Sequence, residues 1–144
     1  MNLKKQIRIM NINIRNSTFE TNSSSAHTVS ICDKNVYLQW INGEVKYNPI
    51  SDLFLKTEEA DEYNIKHFNK RDYCGDLQLF LDEDFENPTI IEILLANEFY
   101  DYGYANGYFS YKRYFAMAES KIYNFEKIEK YVDDKVEFGY DGRC

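Results

Sequence analysis

The segment from Phe19 to His27 holds the side chains of this chain best suited to chemistry. It contains Ser23, Ser24, Ser25 and, two residues after Ser25, His27. Side chains two residues apart on a strand share a face, so an extended segment would place the hydroxyl of Ser25 beside the imidazole of His27. A hydroxyl beside an imidazole is the minimum arrangement for an activated nucleophile.

Two other interpretations of this segment remain open. If the loop curls, several backbone N–H groups point the same way and would cradle a phosphate. Alternatively, the hydroxyls bond to their own backbone in a simple turn. Catalysis would also need an acid to orient His27, for which Glu20 is the nearest candidate, and no glycine brackets the serines as in a nucleophile elbow. We therefore assign no catalytic residue and keep Ser23, Ser24, Ser25 and His27 as an alternative ligand-binding set.

The same stretch carries a resemblance. Its residues are Phe19-Glu20-Thr21-Asn22-Ser23-Ser24-Ser25, followed after one residue by His27, and a basic segment precedes them. This stretch resembles the opening of a group of small proteins from phages and AT-rich Firmicutes. The resemblance covers a small part of the chain and implies an origin in a phage or mobile element. It assigns no role to any of these side chains.

The middle of the chain is strongly acidic. Residues 52–101 carry fourteen acidic and four basic side chains, whereas residues 1–50 carry three acidic and six basic ones. The densest run is Asp82, Glu83, Asp84 and Glu86. It lacks the glycine and the final glutamate of a calcium loop, so the alternatives are a solvated loop and a patch that faces a protein. Such a patch would repel nucleic acid and attract a basic surface.

Aromatic residues are the other unusual feature, with thirteen tyrosines and ten phenylalanines. Each buried tyrosine hydroxyl needs a partner, so we expect some tyrosines at the surface. We predict a hairpin over residues 99–115 around Asn106-Gly107, with one face in the core and one lined by Tyr102, Tyr104, Tyr108 and Tyr111. Stacking on single-stranded nucleic acid would need a basic groove, and only Lys112 and Arg113 are near.

Metal, cofactor and membrane sites have little support in the sequence. Cys32, Cys74 and Cys144 are too widely spaced for a zinc site or a disulfide framework, and an odd number of cysteines favours a reducing compartment. No glycine-rich nucleotide motif is present, so we expect no metal and no cofactor. A polar stretch follows the basic start, so we expect no signal peptide, no membrane association and a location in the host cytoplasm.

Local patterns predict the elements that position these residues. Alternation predicts strands over 6–14 and 27–32, and Asn42-Gly43 predicts a type I′ hairpin over 36–47. Capping residues predict a helical turn after Ser51 and helices after Thr57, Asn87-Pro88 and Asn124. A terminal edge strand is predicted over residues 135–140. The predicted fold is α+β, a small antiparallel sheet built from hairpins with two or three helices packed on one side. Residues 1–144 are expected to form a single domain.

These features favour a binding protein over an enzyme. We expect a small acidic phage-type inhibitor, of the anti-CRISPR or anti-restriction class, that blocks the basic groove of a host nucleic-acid-dependent defence enzyme. The residues expected to bind this partner are Asp82, Glu83, Asp84, Glu86, Tyr102, Tyr104, Tyr108 and Tyr111. The alternatives are a small enzyme or nucleotide- or phosphate-binding protein that acts through the Ser23–His27 loop, and a self-assembling component of a phage particle. Direct binding to nucleic acid is not expected, and a homo-oligomer is compatible with the sequence.

Overall fold

The described part of the chain contains four helices and seven strands. A computed structural model describes residues 7–8, 13–15, 26–68, 84–103 and 105–143. In chain order the elements are β1 (Ile7–Arg8), β2 (Asn13–Arg15), β3 (Ala26–Asp33), α1 (Lys34–Ile41), β4 (Val45–Asn48), β5 (Leu53–Lys56), α2 (Thr57–His67), α3 (Pro88–Tyr102), α4 (Tyr111–Lys121), β6 (Tyr123–Val132) and β7 (Lys135–Arg143). This confirms the predicted α+β class, with four helices instead of the expected two or three.

The strands form two antiparallel sheets instead of the single sheet that we predicted. One has the order β1-β5-β4 and the other the order β2-β3-β7-β6. The single strand predicted over 6–14 is wrong, because this segment supplies β1 to the first sheet and most of β2 to the second. The predicted edge strand over 135–140 lies within β7, which is central because it pairs with both β3 and β6.

The predicted hairpin around Asn42-Gly43 is wrong, because α1 precedes this dipeptide. Tyr37 and Trp40, three residues apart, are both buried on one face of α1. Asn42 has φ −82° and only Gly43 has a positive φ, of 83°, whereas a type I′ turn needs two such residues. The N–H of Gly43 donates to the Trp40 carbonyl at 3.1 Å, so the glycine ends a helix here.

The helix predicted after Asn87-Pro88 is confirmed as α3. The Asn87 side chain accepts from the N–H of Thr89 at 2.9 Å, Pro88 is the first helical residue, and Gly103 ends the helix at φ 77°. The helix predicted after Thr57 is confirmed as α2, but Thr57 is its first residue and does not cap it, because its hydroxyl donates to the carbonyl of Gly43 at 2.5 Å. The helical turn predicted after Ser51 is wrong, because Leu53–Lys56 is strand β5.

The predicted hairpin over 99–115 is wrong, because its two arms belong to α3 and α4. Ser110 caps α4 by accepting from the N–H of Arg113 at 3.1 Å. The segment between the helices packs back against the three-stranded sheet. Phe109 and Tyr47 exchange two backbone hydrogen bonds, of 2.9 and 2.8 Å, and Phe109 therefore covers the outer edge of β4.

The helix predicted after Asn124 is also wrong, because residues 123–132 form β6. Asn124 has φ 52°, which interrupts the ladder with β7 in place of capping a helix. Phe125 and Ile128 are three residues apart and only partly buried, and on a strand that odd spacing places them on opposite faces. Because β6 lies at the end of its sheet, most of its residues are exposed and the two-residue alternation of burial is absent.

The core is built around the one tryptophan. Trp40 is fully buried, and its ring lies 5.3 to 5.4 Å from the rings of Tyr47, Tyr114 and Phe138. Its indole N–H donates to the carbonyl of Phe109 at 2.9 Å. These contacts join β4, α4 and β7, so both sheets share one aromatic core.

Candidate functional site

Helices α2 and α3 lie side by side and run in opposite directions. The ring of Phe68, directly after α2, stacks on the ring of Phe85, just before α3, with 6.0 Å between centroids. The amide of Asn64 on α2 forms two hydrogen bonds with the backbone of Tyr108, of 2.9 and 2.8 Å, which fixes α2 against the segment that precedes α4. The residues before α3 are therefore held beside the end of α2.

This pair of helices carries the negative charge of the middle of the chain. We use the name acidic helix pair for α2, α3 and the residues 84–87 that lead into α3. Among the described residues of this pair, the carboxylates that are at least partly exposed are Glu58, Glu59, Asp61, Glu62, Asp84, Glu86, Glu98 and Asp101. The same residues include a single lysine, Lys66. Two of the carboxylates pair with lysines outside the set, Asp61 with Lys46 at 2.6 Å and Asp101 with Lys121 at 2.9 Å. The remaining carboxylates outnumber Lys66, so the pair presents a negative surface.

A buried lysine joins the two helices beneath this surface. The ammonium of Lys46 on β4 donates to Asp61 on α2 at 2.6 Å and to Glu92 on α3 at 3.0 Å. The second oxygen of Glu92 accepts from the backbone N–H of Ser110 at the start of α4. The side chains of Lys46 and Glu92 are only 10% and 8% exposed. Each oxygen of Glu92 thus has a donor, and the network fixes the position of one helix relative to the other.

Two of the four predicted acidic residues lie in the described part of the chain. Asp84 and Glu86 are exposed, and the carboxylate of Asp84 accepts from the N–H of Glu86 at 3.0 Å. Asp82 and Glu83 lie outside the described residues. The structure adds carboxylates of α2 that the sequence analysis did not single out, among them Glu58 and Glu62.

The four predicted tyrosines do not form one surface. Tyr108 is 1% exposed and packs against Tyr63 with 5.1 Å between ring centroids, so its side chain belongs to the core. Tyr102 is the last residue of α3 and its side chain lies outside the described part, as does the whole of Tyr104. Tyr111 is partly exposed at the start of α4.

Tyr111 belongs to a cluster of tyrosines and charges between α1, α4 and β6. The carboxylate of Glu129 accepts from the hydroxyls of Tyr37 at 2.5 Å and Tyr111 at 2.8 Å. The ammonium of Lys127 donates to the hydroxyl of Tyr111 at 2.5 Å and lies over its ring. Burial and then the hydrogen bond to Glu129 raise the pKa of Tyr37 well above its ordinary value, so its hydroxyl stays a neutral donor.

The imidazole of the hydroxyl-rich segment has an acidic neighbour. His27 Nδ1 on β3 lies 3.6 Å from the carboxylate of Asp141 on β7, and both side chains are about half exposed. The two residues are directly opposite each other in the antiparallel pair. Ser23, Ser24 and Ser25 lie outside the described residues, so their predicted contact with His27 stays a prediction.

Sequence reasoning had named Glu20 as the acid for His27 and had not named Asp141. No local signal could have done so, because the contact depends on the register of β3 against β7. Glu129 was missed for a similar reason, because its segment was predicted as a helix. A signal was present in the charged residues on both sides of Ile128, from Glu126 to Lys130, because such a pattern suits an exposed strand as well as a helix.

Comparisons of this chain with protein-family models, with curated proteins and with solved structures find no match. Within the described ranges, no group of three His, Cys, Asp or Glu side chains is placed to hold a metal ion. No helix in the same ranges is long and apolar enough to cross a membrane.

Proposed function

We propose that this protein binds the cationic surface of another macromolecule through its acidic helix pair. The observation that supports the proposal is the density of carboxylates on α2, on α3 and on the residues just before α3, against a single lysine. Nucleic-acid enzymes hold phosphates in grooves lined with Lys and Arg, and a rigid row of carboxylates offers the same grooves a competing negative surface. The specific form of the proposal is an inhibitor of a host defence enzyme, of the anti-CRISPR or anti-restriction class.

The rigidity of the acidic helix pair favours this function. Binding costs less when the interacting side chains are already ordered. Here the helices are joined by the buried Lys46 network and by the Phe68–Phe85 stack, so the backbone that carries their carboxylates is already ordered.

Charge reversal tests the proposal directly. We expect Glu62→Lys combined with Glu86→Lys to weaken capture of the partner from a host extract by about a hundredfold, because two opposing contacts become repulsive in a desolvated interface. The measurement is a pull-down at about 50 mM salt followed by elution at high salt, with the captured enzyme then titrated in purified form.

The matched control reverses two exposed carboxylates outside the acidic helix pair, Glu119→Lys on α4 with Asp134→Lys in the turn between β6 and β7. This variant has the same total charge as the first and should bind like the unmodified protein. Equal loss in both variants would show that only net charge matters. The proposal would be contradicted if DNA or RNA did not compete with this protein for binding to the captured enzyme.

A second candidate function is supported by the pairing of His27 with Asp141. An aspartate that is hydrogen-bonded to Nδ1 holds an imidazole in one tautomer and leaves Nε2 to act on a hydroxyl, as in known triads, and this candidate therefore requires the 3.6 Å separation of His27 and Asp141 to close to hydrogen-bond distance. This candidate requires a hydroxyl of Ser23, Ser24 or Ser25, whose contact with His27 stays a prediction. This candidate predicts that Asp141→Asn and His27→Ala abolish consumption of a nucleotide or shortening of RNA, while Glu137→Gln on the same strand has no effect. The inhibitor function predicts that all three variants bind the partner normally.

A further inference from the structure

Strand β6 forms one end of the four-stranded sheet. Within the described part of the chain its backbone pairs with β7 alone. The strand is ten residues long and eight of these are exposed, with Tyr123 at 74% and Tyr131 at 44%. Every second residue of such an edge directs its N–H and C=O away from the sheet, which makes the edge a template for a further strand.

The sequence of β6 is complementary to its own antiparallel copy. Charges of alternating sign flank Ile128 on both sides. If two copies pair about Ile128, Glu126 of each lies opposite Lys130 of the other, and Lys127 lies opposite Glu129. Opposite charges directly across an antiparallel pair stabilise it, and this register contains four such pairs.

The charges also exclude the neighbouring registers. A shift of one residue in one direction places Lys127 opposite Lys130, and a shift in the other direction places Glu126 opposite Glu129. Like charges directly opposite destabilise a strand pair. Charged residues commonly protect an edge strand from association, but here they oppose every close register except the one centred on Ile128.

The side chains on the two faces of β6 contribute differently to the pairing of two copies. Lys127 and Glu129 face the core side, where their contacts with Tyr111 already fix their positions. Glu126, Ile128 and Lys130 are on the other face, as their partners Asp141, Gly139 and Glu137 on β7 show. Side chains that are ordered in the free protein lose less entropy on association.

We propose that two copies of this chain associate by antiparallel pairing of β6 with β6, with Ile128 on the two-fold axis. The pairing joins the two four-stranded sheets into one sheet of eight strands across an isologous interface. The four ionic pairs lie within the regular part of β6, on the C-terminal side of the register shift between Tyr123 and Glu126. This association is independent of the binding function proposed for the acidic helix pair.

Single charge reversals on the outer face test the association. In Glu126→Lys both symmetric contacts with Lys130 become repulsive, and in Lys130→Glu both contacts with Glu126 do. We expect each variant to weaken the dimer by about thirtyfold, measured by sedimentation equilibrium over about 10 μM to 1 mM protein. Glu44→Lys makes the same change of charge at an exposed position just before β4, in the other sheet, and should not alter the dimer.

Mixing the two weakened variants gives the decisive result. A chain with Glu126→Lys and a chain with Lys130→Glu are complementary to each other, so their equimolar mixture should form a heterodimer as tight as the unmodified dimer. The double variant Glu126→Lys/Lys130→Glu should likewise recover self-association. Circular dichroism of each variant checks that it is folded.

Three results would overturn the proposal. The first is a monomeric unmodified protein at about 1 mM, the upper end of the measured range. The second is a dimer that neither single reversal weakens, since the interface then lies elsewhere. The third is failure of the folded variants to recover association when mixed, because charge complementarity in this register then does not determine the pairing.

Discussion

Replacing Lys46 with methionine should lower the free energy of unfolding by about 3–5 kcal/mol. Lys46 is the cation between Asp61 and Glu92, at 2.6 and 3.0 Å, in a site where its own side chain is 10% exposed. Methionine fills a similar volume but leaves the buried Glu92 carboxylate without its cation. Urea unfolding followed by the fluorescence of Trp40, which is fully buried, measures the loss.

Two further variants show whether charge causes this effect. Lys66→Met removes an exposed lysine from α2 and should change stability by no more than about 0.5 kcal/mol. Glu92→Gln added to Lys46→Met should recover part of the loss, because the amide is neutral and its oxygen can still accept from the N–H of Ser110. If Lys46→Met is as mild as Lys66→Met, the network does not hold the helices together.

The same network predicts a dependence of stability on pH. Burial acts to lower the pKa of Lys46, but the charges and hydrogen bonds of Glu92 and Asp61 outweigh it, so the pKa in the folded protein is raised above 10.5. A raised pKa means that the stabilisation is complete below the unfolded value and is lost as pH rises through the folded value. The difference in unfolding free energy between the unmodified protein and Lys46→Met should therefore be constant up to about pH 10 and shrink above it.

Gly139→Ala should destabilise the protein by at least about 3 kcal/mol. A Cβ at this position of β7 would lie 1.7 Å from the carbonyl oxygen of Thr28 and 2.7 Å from its carbonyl carbon. Both are backbone atoms of β3, so no side-chain rotation relieves the overlap. Separation of β3 from β7 would disrupt the centre of the four-stranded sheet. Thermal and urea unfolding of the purified variant, together with its soluble yield, measure the effect.

Gly43→Ala is the matched control. Gly43 has φ 83° at the end of α1, and a Cβ there meets no atom within 4 Å. Its substitution should lower the free energy of unfolding by about 1 kcal/mol, because a left-handed conformation is unfavourable for alanine. If both glycine variants lose the same free energy, backbone conformation alone explains Gly139 and the close approach of β3 is unimportant.

Local signals in the sequence predicted those elements whose ends they define. Asn87-Pro88 marked the start of α3, and the alternation over 27–32 marked β3, because capping and strand periodicity act between near neighbours. Asn42-Gly43 misled because the same dipeptide suits a hairpin turn and a helix end. The choice between them depends on the burial of Tyr37 and Trp40 against residues that are distant in the chain.

The candidate site was predictable in charge and unpredictable in geometry. Composition placed the acidic excess between residues 52 and 101, and Asp84 and Glu86 are exposed as a binding role requires. The adjacency of α2 and α3 depends on Lys46 and on the Phe68–Phe85 stack, and neither contact leaves a pattern in the sequence. Tyr108 was assigned to the surface because its segment was predicted as a strand, whereas Asn64 binds its backbone in the interior.

The bridge between Phe109 and Tyr47 affects how far self-association can proceed. It occupies the outer side of β4, and the other described end strands, β1 and β2, are two and three residues long. Within the described fold β6 is therefore the one long edge that accepts a strand. If two copies associate through β6, the only such edge of each described fold is then fully paired. Growth then stops at two chains, and no fibre or layered aggregate follows from the same chemistry.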